Sequence, residues 1–406
     1  MRKIIFLLTC GLLLTGLCTV PASPAASQTS VGGGRFHSLN GTEPVRRVLD
    51  TRSGIGGRLG AVAPGGTVTF PVRLPDTSGQ PGSAVLDVTV PGNAPAGSLS
   101  VYPSGTGWDR RVTMTLAGGG TIAQQLTVRL GADGGVTIRN NSARAVHLVV
   151  ELHGFYGPGT PTDPGALVSL NSRILDTRGG TPLAPGRKLT LALSGRGGIP
   201  AGGASAVILN VAVLGARANG LLGITDSAGR DMTPHIRFAG NQSMQTERVV
   251  ELGSGGTLTF SQSSTAAVQL VLDLVGYFLP GPIYGDNGGA YIPTGVIPLN
   301  AGKRIVLRGR TPTLVGVPVR QEAISYNIVV TTDRPGQPAL FGIYNSERSN
   351  WNGSPTVTSS PTLQPTELTV FTIAANTFVL RNLFDAPETW VHAYLTGYYS
   401  RDFTLP

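Results

Sequence analysis

Two carboxylate–arginine motifs are the first residues of this sequence whose types and spacing fit chemistry. Asp50 and Arg52 are two residues apart, and Asp176 and Arg178 repeat that spacing 126 residues later. An aspartate beside a cation is a candidate catalytic carboxylate, because a neighbouring charge tunes its protonation. The same aspartate can instead accept hydrogen bonds from turn N–H groups and pair with a guanidinium fork. Because the motif occurs twice, and a duplicated enzyme needs only one working site, we interpret it as a structural corner between a strand and a loop.

Two tryptophans form a second candidate, because they lie in polar loops and not in apolar strands. The flat face of an indole stacks on a sugar ring, and its N–H donates to a hydroxyl. Polar neighbours supply the directional hydrogen bonds that such sites use. The alternative is that each indole folds back over its own domain as a lid. The predicted ligand-binding residues are Trp108, Asp109, Arg110, Asn350, Trp351 and Asn352.

Sequence motifs for metal, nucleotide or nucleophilic chemistry are absent. There is no His-Glu-x-x-His, Gly-x-Ser-x-Gly, phosphate-binding loop or dinucleotide fingerprint. His147 and His153 are six residues apart in a strand pattern, which separates them by about 20 Å, too far for one metal. A glycosidase needs two carboxylates about 5–10 Å apart, and the sequence shows no pair that converges. We therefore expect no metal, no cofactor, and a binding protein more than an enzyme.

An internal repeat positions these residues. The hexapeptide around Asp50 recurs around Asp176 with five of six positions identical. The glycines that close the repeats, Gly154, Gly276 and Gly397, are 122 and 121 residues apart. This period predicts three domains of about 120 residues, a size that buries a core without disulfides. The third copy has diverged and lacks the Asp-Thr-Arg motif. We name the copies repeat 1 (31–157), repeat 2 (165–279) and repeat 3 (290–403), joined by Pro- and Gly-rich linkers.

Within each repeat the hydrophobic pattern has a period of two, which is the period of a β-strand. Leu86, Val88 and Val90 alternate with more polar residues, and short β-branched runs end at Gly, Pro or Asn turns. The predicted fold is all-β, with three tandem β-sandwiches of jelly-roll or immunoglobulin-like type. One polar strand position is shared by the three repeats, and we expect it to satisfy backbone groups at a bulge or a sheet edge: Asp87, Asn210 and Asn327.

The N-terminal segment has the pattern of a signal peptide. Two cations precede an apolar run over 4–17, and small residues follow at candidate cleavage sites. We expect residues 1–27 to be removed and the mature chain to be secreted. We also expect no membrane span in the mature chain, since the run is shorter than the about 20 residues that cross a bilayer. Both cysteines, Cys10 and Cys18, lie in this segment, so the mature domains are predicted to be free of disulfides.

The charge pattern narrows the class of partner. The formal net charge is +9, and only 13% of the residues are charged. The arginines are scattered and form no basic run, so we expect no nucleic-acid binding. A diffuse positive charge on an exported protein favours anionic wall polymers or acidic glycans. Charge retained for solubility explains the same observation equally well.

The repeated motifs resemble a β-rich module of secreted actinobacterial proteins. The resemblance rests on Arg-(Val/Ile)-Leu-Asp-Thr-Arg, on the strand Ala-Val-x-(Leu)-(Asn/Asp)-Val-x-Val, and on a closing apolar strand that ends in Gly-(Phe/Tyr)-(Tyr/Phe). It covers repeats 1 and 2 in full and repeat 3 weakly. Similar modules are found in tandem or appended to extracellular hydrolases, so the resemblance implies export and a β-rich fold but no established chemistry. Here the repeats nearly fill residues 31–406, so within these residues we expect no accompanying catalytic domain.

These observations together predict an exported, non-catalytic binding protein that recognises cell-envelope or extracellular polysaccharide. A purely structural surface protein, such as a spacer or a coat component, is the first alternative. An extracellular hydrolase with an unrecognised site is the second. The ligand, the oligomeric state, the strand topology and the packing of the domains are left open by the sequence.

Overall fold

The computed structural model of the chain shows an all-β protein built from antiparallel sheets, which confirms the predicted fold class. Among the described residues, no helix is long and apolar enough to cross a membrane. The structure describes residues 34–39, 47–72, 82–110, 112–158, 164–226, 229–231, 236–241, 243–252, 255–281, 288–308, 311–318, 323–332, 339–345, 355–358, 366–371, 377–382 and 388–401.

Repeat 1 forms two sheets. Its strands are β1 (Arg35–Ser38), β2 (Arg47–Asp50), β3 (Thr67–Pro71), β4 (Ser83–Val90), β5 (Ala96–Pro103), β6 (Met114–Ala117), β7 (Ile122–Arg129), β8 (Gly135–Asn140) and β9 (Val149–Gly157). The inner sheet has the order β1-β9-β4-β7, with β2 also paired to β9, and the outer sheet has the order β3-β8-β5-β6. In β3 the alternating pattern holds as expected, since Val68 and Phe70 are buried between exposed neighbours.

Repeat 2 has the same arrangement. Its strands are β10 (Leu167–Asp176), β11 (Lys188–Ala192), β12 (Ala206–Leu214), β13 (Gly220–Asp226), β14 (Ile236–Phe238), β15 (Met244–Glu251), β16 (Thr257–Gln262) and β17 (Gln269–Phe278). The inner sheet runs β10-β17-β12-β15, and the outer sheet runs β11-β16-β13-β14. Strand β17 is buried along almost its whole length, because both of its faces are covered, which accounts for its continuous apolar sequence.

Repeat 3 keeps this order despite its diverged sequence. Its elements are β18 (Ala290–Pro298), a 3-10 turn (Asn300–Gly302), β19 (Ile305–Leu307), β20 (Thr313–Gly316), β21 (Ala323–Thr332), β22 (Ala339–Asn345), β23 (Pro355–Thr358), β24 (Thr366–Phe371), β25 (Thr377–Asn382) and β26 (Thr389–Ser400). The inner sheet is β18-β26-β21-β24, with β19 beside β26, and the outer sheet is β20-β25-β22-β23. This outer sheet continues into the inner sheet of repeat 2, because β23 pairs with β15.

Each repeat has its own apolar core between its two sheets. One cluster of buried side chains in each repeat draws members from both the inner and the outer sheet. Burial of this apolar area is the main stabilising term of such a sandwich, at about 25 cal/mol per Å². Representative inner and outer members are Leu86 with Ile138, Leu209 with Phe260, and Ile328 with Phe378.

A fourth cluster, which we call the central cluster, joins the three repeats. It lies on the faces of the inner sheets that point away from their own cores. The hydroxyls of Tyr156 and Tyr399, from repeats 1 and 3, are hydrogen-bonded at 2.7 Å within it. Burial and the neighbouring Tyr156 hold the pKa of Tyr399 well above its usual range. Its members are Phe36, Val85, Tyr156, Leu167, Ala206, Ile208, Val249, Val275, Phe278, Tyr291, Ile324 and Tyr399.

Backbone hydrogen bonds close the repeats into a ring beside this cluster. A glycine lies one or two residues before the first strand of each repeat. Two residues after that glycine comes an apolar member of the central cluster. A Cβ on Gly34 would lie 1.6 Å from the carbonyl oxygen of Gly157, so only glycine permits this approach. Each glycine bonds to the apolar residue of another repeat at N···O distances between 2.7 and 3.0 Å, in the pairs Gly34–Tyr291, Gly289–Leu167 and Gly165–Phe36.

Candidate functional site

The Asp-Thr-Arg motif of repeat 1 lies at the end of β2. The Asp50 carboxylate accepts hydrogen bonds from Nε and Nη2 of Arg52, at 3.0 and 2.8 Å, and from the Arg52 backbone N–H at 3.0 Å. Arg47 donates to the same carboxylate at 3.1 Å. Between them, the Thr51 hydroxyl accepts the backbone N–H of Leu148 at 2.9 Å. These contacts tie the end of β2 to the residue that precedes β9.

Repeat 2 builds the same corner around Asp176. Arg178 donates from Nε at 2.9 Å, from Nη2 at 2.5 Å and from its backbone N–H at 3.1 Å. The Thr177 hydroxyl accepts the backbone N–H of Leu270 at 2.8 Å. The hydrogen bond from Arg178 is the largest cause that lowers the pKa of Asp176 to about 2, and Arg52 lowers the pKa of Asp50 to about 2 in the same way.

The shared polar position lies on interior strands and not at a sheet edge. Asp87, Asn210 and Asn327 belong to β4, β12 and β21, each of which has a neighbour on both sides. Each residue is next to the register shift between its strand and the closing strand. The expected sheet edge is therefore wrong, and a bulge lies close to each residue. Within the described part of the chain, the expected hydrogen bonds to backbone groups are not found at Asp87, whose carboxylate contacts the side chains of His153 and Gln125. All three side chains are buried, on the face of the inner sheet that meets the other repeats.

Asp87 is the centre of a buried polar network between repeats 1 and 2. Its carboxylate pairs with Nε2 of His153 at 2.5 Å and lies 3.4 Å from the Gln125 amide nitrogen. The Gln125 amide accepts the Val249 N–H at 2.6 Å and donates to the Val249 carbonyl at 3.3 Å, as a neighbouring strand would. Burial lowers the pKa of the Arg248 guanidinium, and the charge of Asp87 opposes that effect. This network joins repeats and is closed to a large ligand.

Trp108 lies over the outer sheet of its own repeat. Its Nε1 donates to the hydroxyl of Ser100 on β5 at 3.1 Å. The guanidinium of Arg139, on β8, is 4.2 Å from the centroid of the indole, a cation–π distance. The side chain nevertheless keeps 38% of its surface exposed. The indole is thus fixed in orientation, as the lid alternative requires, and still presents apolar surface to solvent, as the binding hypothesis requires.

The surface around Trp108 is a flat, hydroxyl-bearing strand face, which we call the outer face of repeat 1. Residues that alternate with the core of β3, β5 and β8 point to it. Two cross-strand rows run side by side on this face, and one contains a hydroxyl–hydroxyl bond of 2.8 Å. The rows are Thr69–Thr137–Tyr102 and Thr67–Arg139–Ser100.

The structure brings together only part of the predicted ligand-binding set. Asp109 and Arg110 follow Trp108 in the same loop, and both are exposed. Arg110 has a left-handed backbone with φ of 65°. The other three predicted residues, Asn350, Trp351 and Asn352, lie outside the described residues.

Three residues of the outer face were missed by reasoning from the sequence: Ser100, Tyr102 and Arg139. The alternation of β5 and β8 assigns all three to the solvent side. Their meeting with Trp108 depends on the register between strands that are far apart in sequence. Within the described residues, no group of three or more His, Cys, Asp or Glu side chains has the geometry to hold a metal ion.

Comparison with known proteins gives no family for this chain. No family model and no curated protein matches it. Among solved structures, one from Sulfolobus turreted icosahedral virus is 12% identical, covers 84% of this chain and 85% of that chain, and has a TM-score of 0.18. The tandem CBM22-1–CBM22-2 domain of Paenibacillus barcinonensis Xyn10C is 10% identical, covers 57% of this chain and 100% of that chain, and has a TM-score of 0.17. Scores this low carry no conclusion, so the fold class rests on the strands described above.

Proposed function

We propose that this chain is an exported, non-catalytic binding protein that recognises cell-envelope or extracellular polysaccharide through the outer face of repeat 1. One observation carries the proposal. Trp108 is held in place by Ser100 and Arg139, yet 38% of its side chain stays exposed on a flat sheet face. The exposed part of the indole, 38%, forfeits about 1 kcal/mol of burial, and a function in binding accounts for that cost.

The chemistry of this face suits a sugar chain. A pyranose ring stacks its C–H face on the free surface of an indole, while hydroxyls on either side exchange hydrogen bonds with the ring substituents. Thr69 and Tyr102 supply hydroxyls in the row beside Trp108, and Thr137 between them is buried and bonded to Thr69. Because this row follows the sheet, it suits an extended polymer more than a small buried ligand.

The state of the aspartates in the corner motifs argues against a general-acid role for them. A general acid must be protonated at the working pH, but Asp50 and Asp176 have a pKa of about 2 and are held by arginine forks. They are ionised and fully engaged at neutral pH. A carboxylate in that state fixes a turn and does not deliver a proton.

A purely structural surface protein is the second candidate, and the ring of repeats favours it. The three inner sheets share the central cluster, and the first strands are joined by backbone hydrogen bonds. A closed assembly of this kind resists extension and proteolysis better than three domains joined only by linkers. Opening one repeat would expose the apolar core that all three share, which costs free energy. Such rigidity is useful to a coat component or a spacer.

Retention on insoluble polysaccharide or cell walls tests the proposal. We expect Trp108→Ala, alone and with Trp351→Ala, to weaken retention at least about tenfold, the equivalent of about 1.4 kcal/mol. The melting temperature should fall only modestly and the fold should be kept, because part of the indole is exposed. Leu221→Ala is the matched control, since Leu221 is 39% exposed on the outer sheet of repeat 2. Equal retention of the tryptophan variant and the wild type would reject the site. No retention of the wild type on any polymer would favour the structural role.

A further inference from the structure

We infer that the polysaccharide is anionic, and that Arg139 binds its carboxylate or phosphate group beside the sugar that stacks on Trp108. The inference rests on the proposed function and names the substrate class of the same site. Arg139 lies on β8, directly across from Ser100 on β5, which accepts the indole N–H. The Arg139 side chain therefore contacts the indole from the strand face on which the ligand is proposed to bind.

The first observation is that Arg139 is a cation without a carboxylate. In the part of the chain that the structure describes, its guanidinium makes the contact with Trp108 and no ion pair. Its Nε is buried without a hydrogen-bond partner. The arginines of the corner motifs differ from Arg139 in this respect, since Arg52 and Arg178 each donate two side-chain hydrogen bonds to an aspartate. Arg139 is half-buried with its donor capacity unspent.

The second observation concerns two acids: Asp133, at the opposite end of β8 from Arg139, and Asp109, next to Trp108 in sequence. Asp133, in the turn before β8, accepts hydrogen bonds from the Ser104 hydroxyl and the Gly135 N–H, and these lower its pKa. Asp109 is exposed in the tryptophan loop, and it has contacts of its own that do not include an ion pair with Arg139. Arg139 thus makes no ion pair with either acid in the part of the chain that the structure describes.

The chemistry of guanidinium identifies the ligand class. Its planar fork matches the two oxygens of a carboxylate or a phosphate, and a fork held by stacking loses little freedom when it binds. A neutral sugar offers only hydroxyls, which a guanidinium binds weakly. An acidic sugar chain can interact with both residues at once: a sugar ring stacks on the indole of Trp108, and an anionic group pairs with the guanidinium of Arg139.

The experiment measures binding of the full mature chain to three soluble polymers: a neutral glucan, a polygalacturonate and a poly(glycerol phosphate). We expect the wild type to prefer at least one anionic polymer over the glucan by about tenfold at low salt, and Arg139→Gln to remove that preference. Arg139→Lys keeps the charge without the planar fork and should retain part of it. Arg58→Gln is the control for net charge, because Arg58 is exposed in the loop after β2, a strand of the inner sheet. The preferred anion separates a carboxylate source from a phosphate source.

The possible outcomes separate the two proposals. Binding that requires Trp108 but is equal for all three polymers, and is unchanged in Arg139→Gln, would overturn the anionic ligand and leave the polysaccharide site in place. Binding of anionic polymers that falls equally in Arg58→Gln and Arg139→Gln would show non-specific charge attraction and also overturn it. Binding of no polymer by the folded wild type would overturn the proposed function itself. Circular dichroism of every variant shows whether it has folded.

Discussion

In repeat 1, the face of the inner sheet that points away from the core is buried, whereas the corresponding face of the outer sheet borders solvent. The inner sheet turns its second face toward the other repeats and buries Phe36, Val85 and Tyr156 in the central cluster. The outer sheet turns its second face to solvent and carries Trp108 among hydroxyls. The inner face is therefore used for contacts between repeats, whereas the outer face carries the partly exposed indole on which the proposed function rests.

A second comparison, between the outer faces of repeats 1 and 2, separates scaffold from specificity. Both faces contain a hydrogen-bonded threonine pair, at 2.8 Å in repeat 1 and 2.9 Å in repeat 2. Where repeat 1 places Tyr102 and Arg139, the register of repeat 2 places Thr225 and Ser261. Repeat 2 keeps a cation in the same row, Lys188, but without an aromatic ring. The threonine pair is common to both repeats and is therefore part of the shared scaffold. The ring of Tyr102 and the guanidinium of Arg139 are present in repeat 1 and have no counterpart at the same positions of repeat 2.

The largest effect is expected in the central cluster. Phe278→Ala should lower the free energy of unfolding by about 3–5 kcal/mol, because a fully buried ring is replaced by a cavity. Phe278 stacks on Phe36 of repeat 1 at 4.4 Å, so the loss should be felt by more than one repeat. Leu314→Ala, at a side chain that is 63% exposed, should change it by less than about 0.5 kcal/mol. Denaturant unfolding measures both, and a loss confined to repeat 2 would argue against a shared core.

A middle-sized effect is expected in the corner motifs. Asp50→Ala should cost about 1–3 kcal/mol, since it orphans the N–H donors that the carboxylate satisfies. Asp176→Ala should cost less, because the Asp176 side chain is 28% exposed and that of Asp50 only 3%. Neither variant should alter polysaccharide retention once it is folded. If Asp176→Ala lost retention at an unchanged melting temperature, that residue would belong to a binding site and not to the scaffold.

The smallest effect is a pH dependence with the same origin. The pKa of Asp50 is lowered from 3.8 to about 2 in the folded chain, chiefly by the Arg52 hydrogen bonds. A depressed pKa contributes stability that is complete above the unfolded value and is lost as the pH falls through the folded one. Between about pH 4 and pH 2 we expect each motif to lose about 1 kcal/mol, a value reduced by the exposure of its arginines. Unfolding of an Asp50→Asn, Asp176→Asn variant should show a shallower slope there, and an unchanged slope would contradict this origin.

Reasoning from the sequence reached the class of the fold and the positions of many strands. The period-two pattern and the repeated motifs depend on neighbours within a few residues, and that is the range over which strand alternation acts. The pattern of β3 and the continuous apolar run of β17 are present in the structure as expected. The predicted domain boundaries, signal peptide and linkers stay predictions, and the N-terminal 33 residues lie outside the described part of the chain.

Other features were decided only when distant strands met. Asp87, Asn210 and Asn327 were recognised as equivalent, but their face became an interface because three inner sheets pack against one another. Trp108 and Arg139 are 31 residues apart, and their contact depends on the register between β5 and β8. A one-residue slip in that register would turn every side chain of the strand to the other face. The alternation of apolar and polar residues can be recognised within each strand. Register and sheet packing depend on turns and core residues from the whole repeat. The outer face could therefore be identified only from the folded chain.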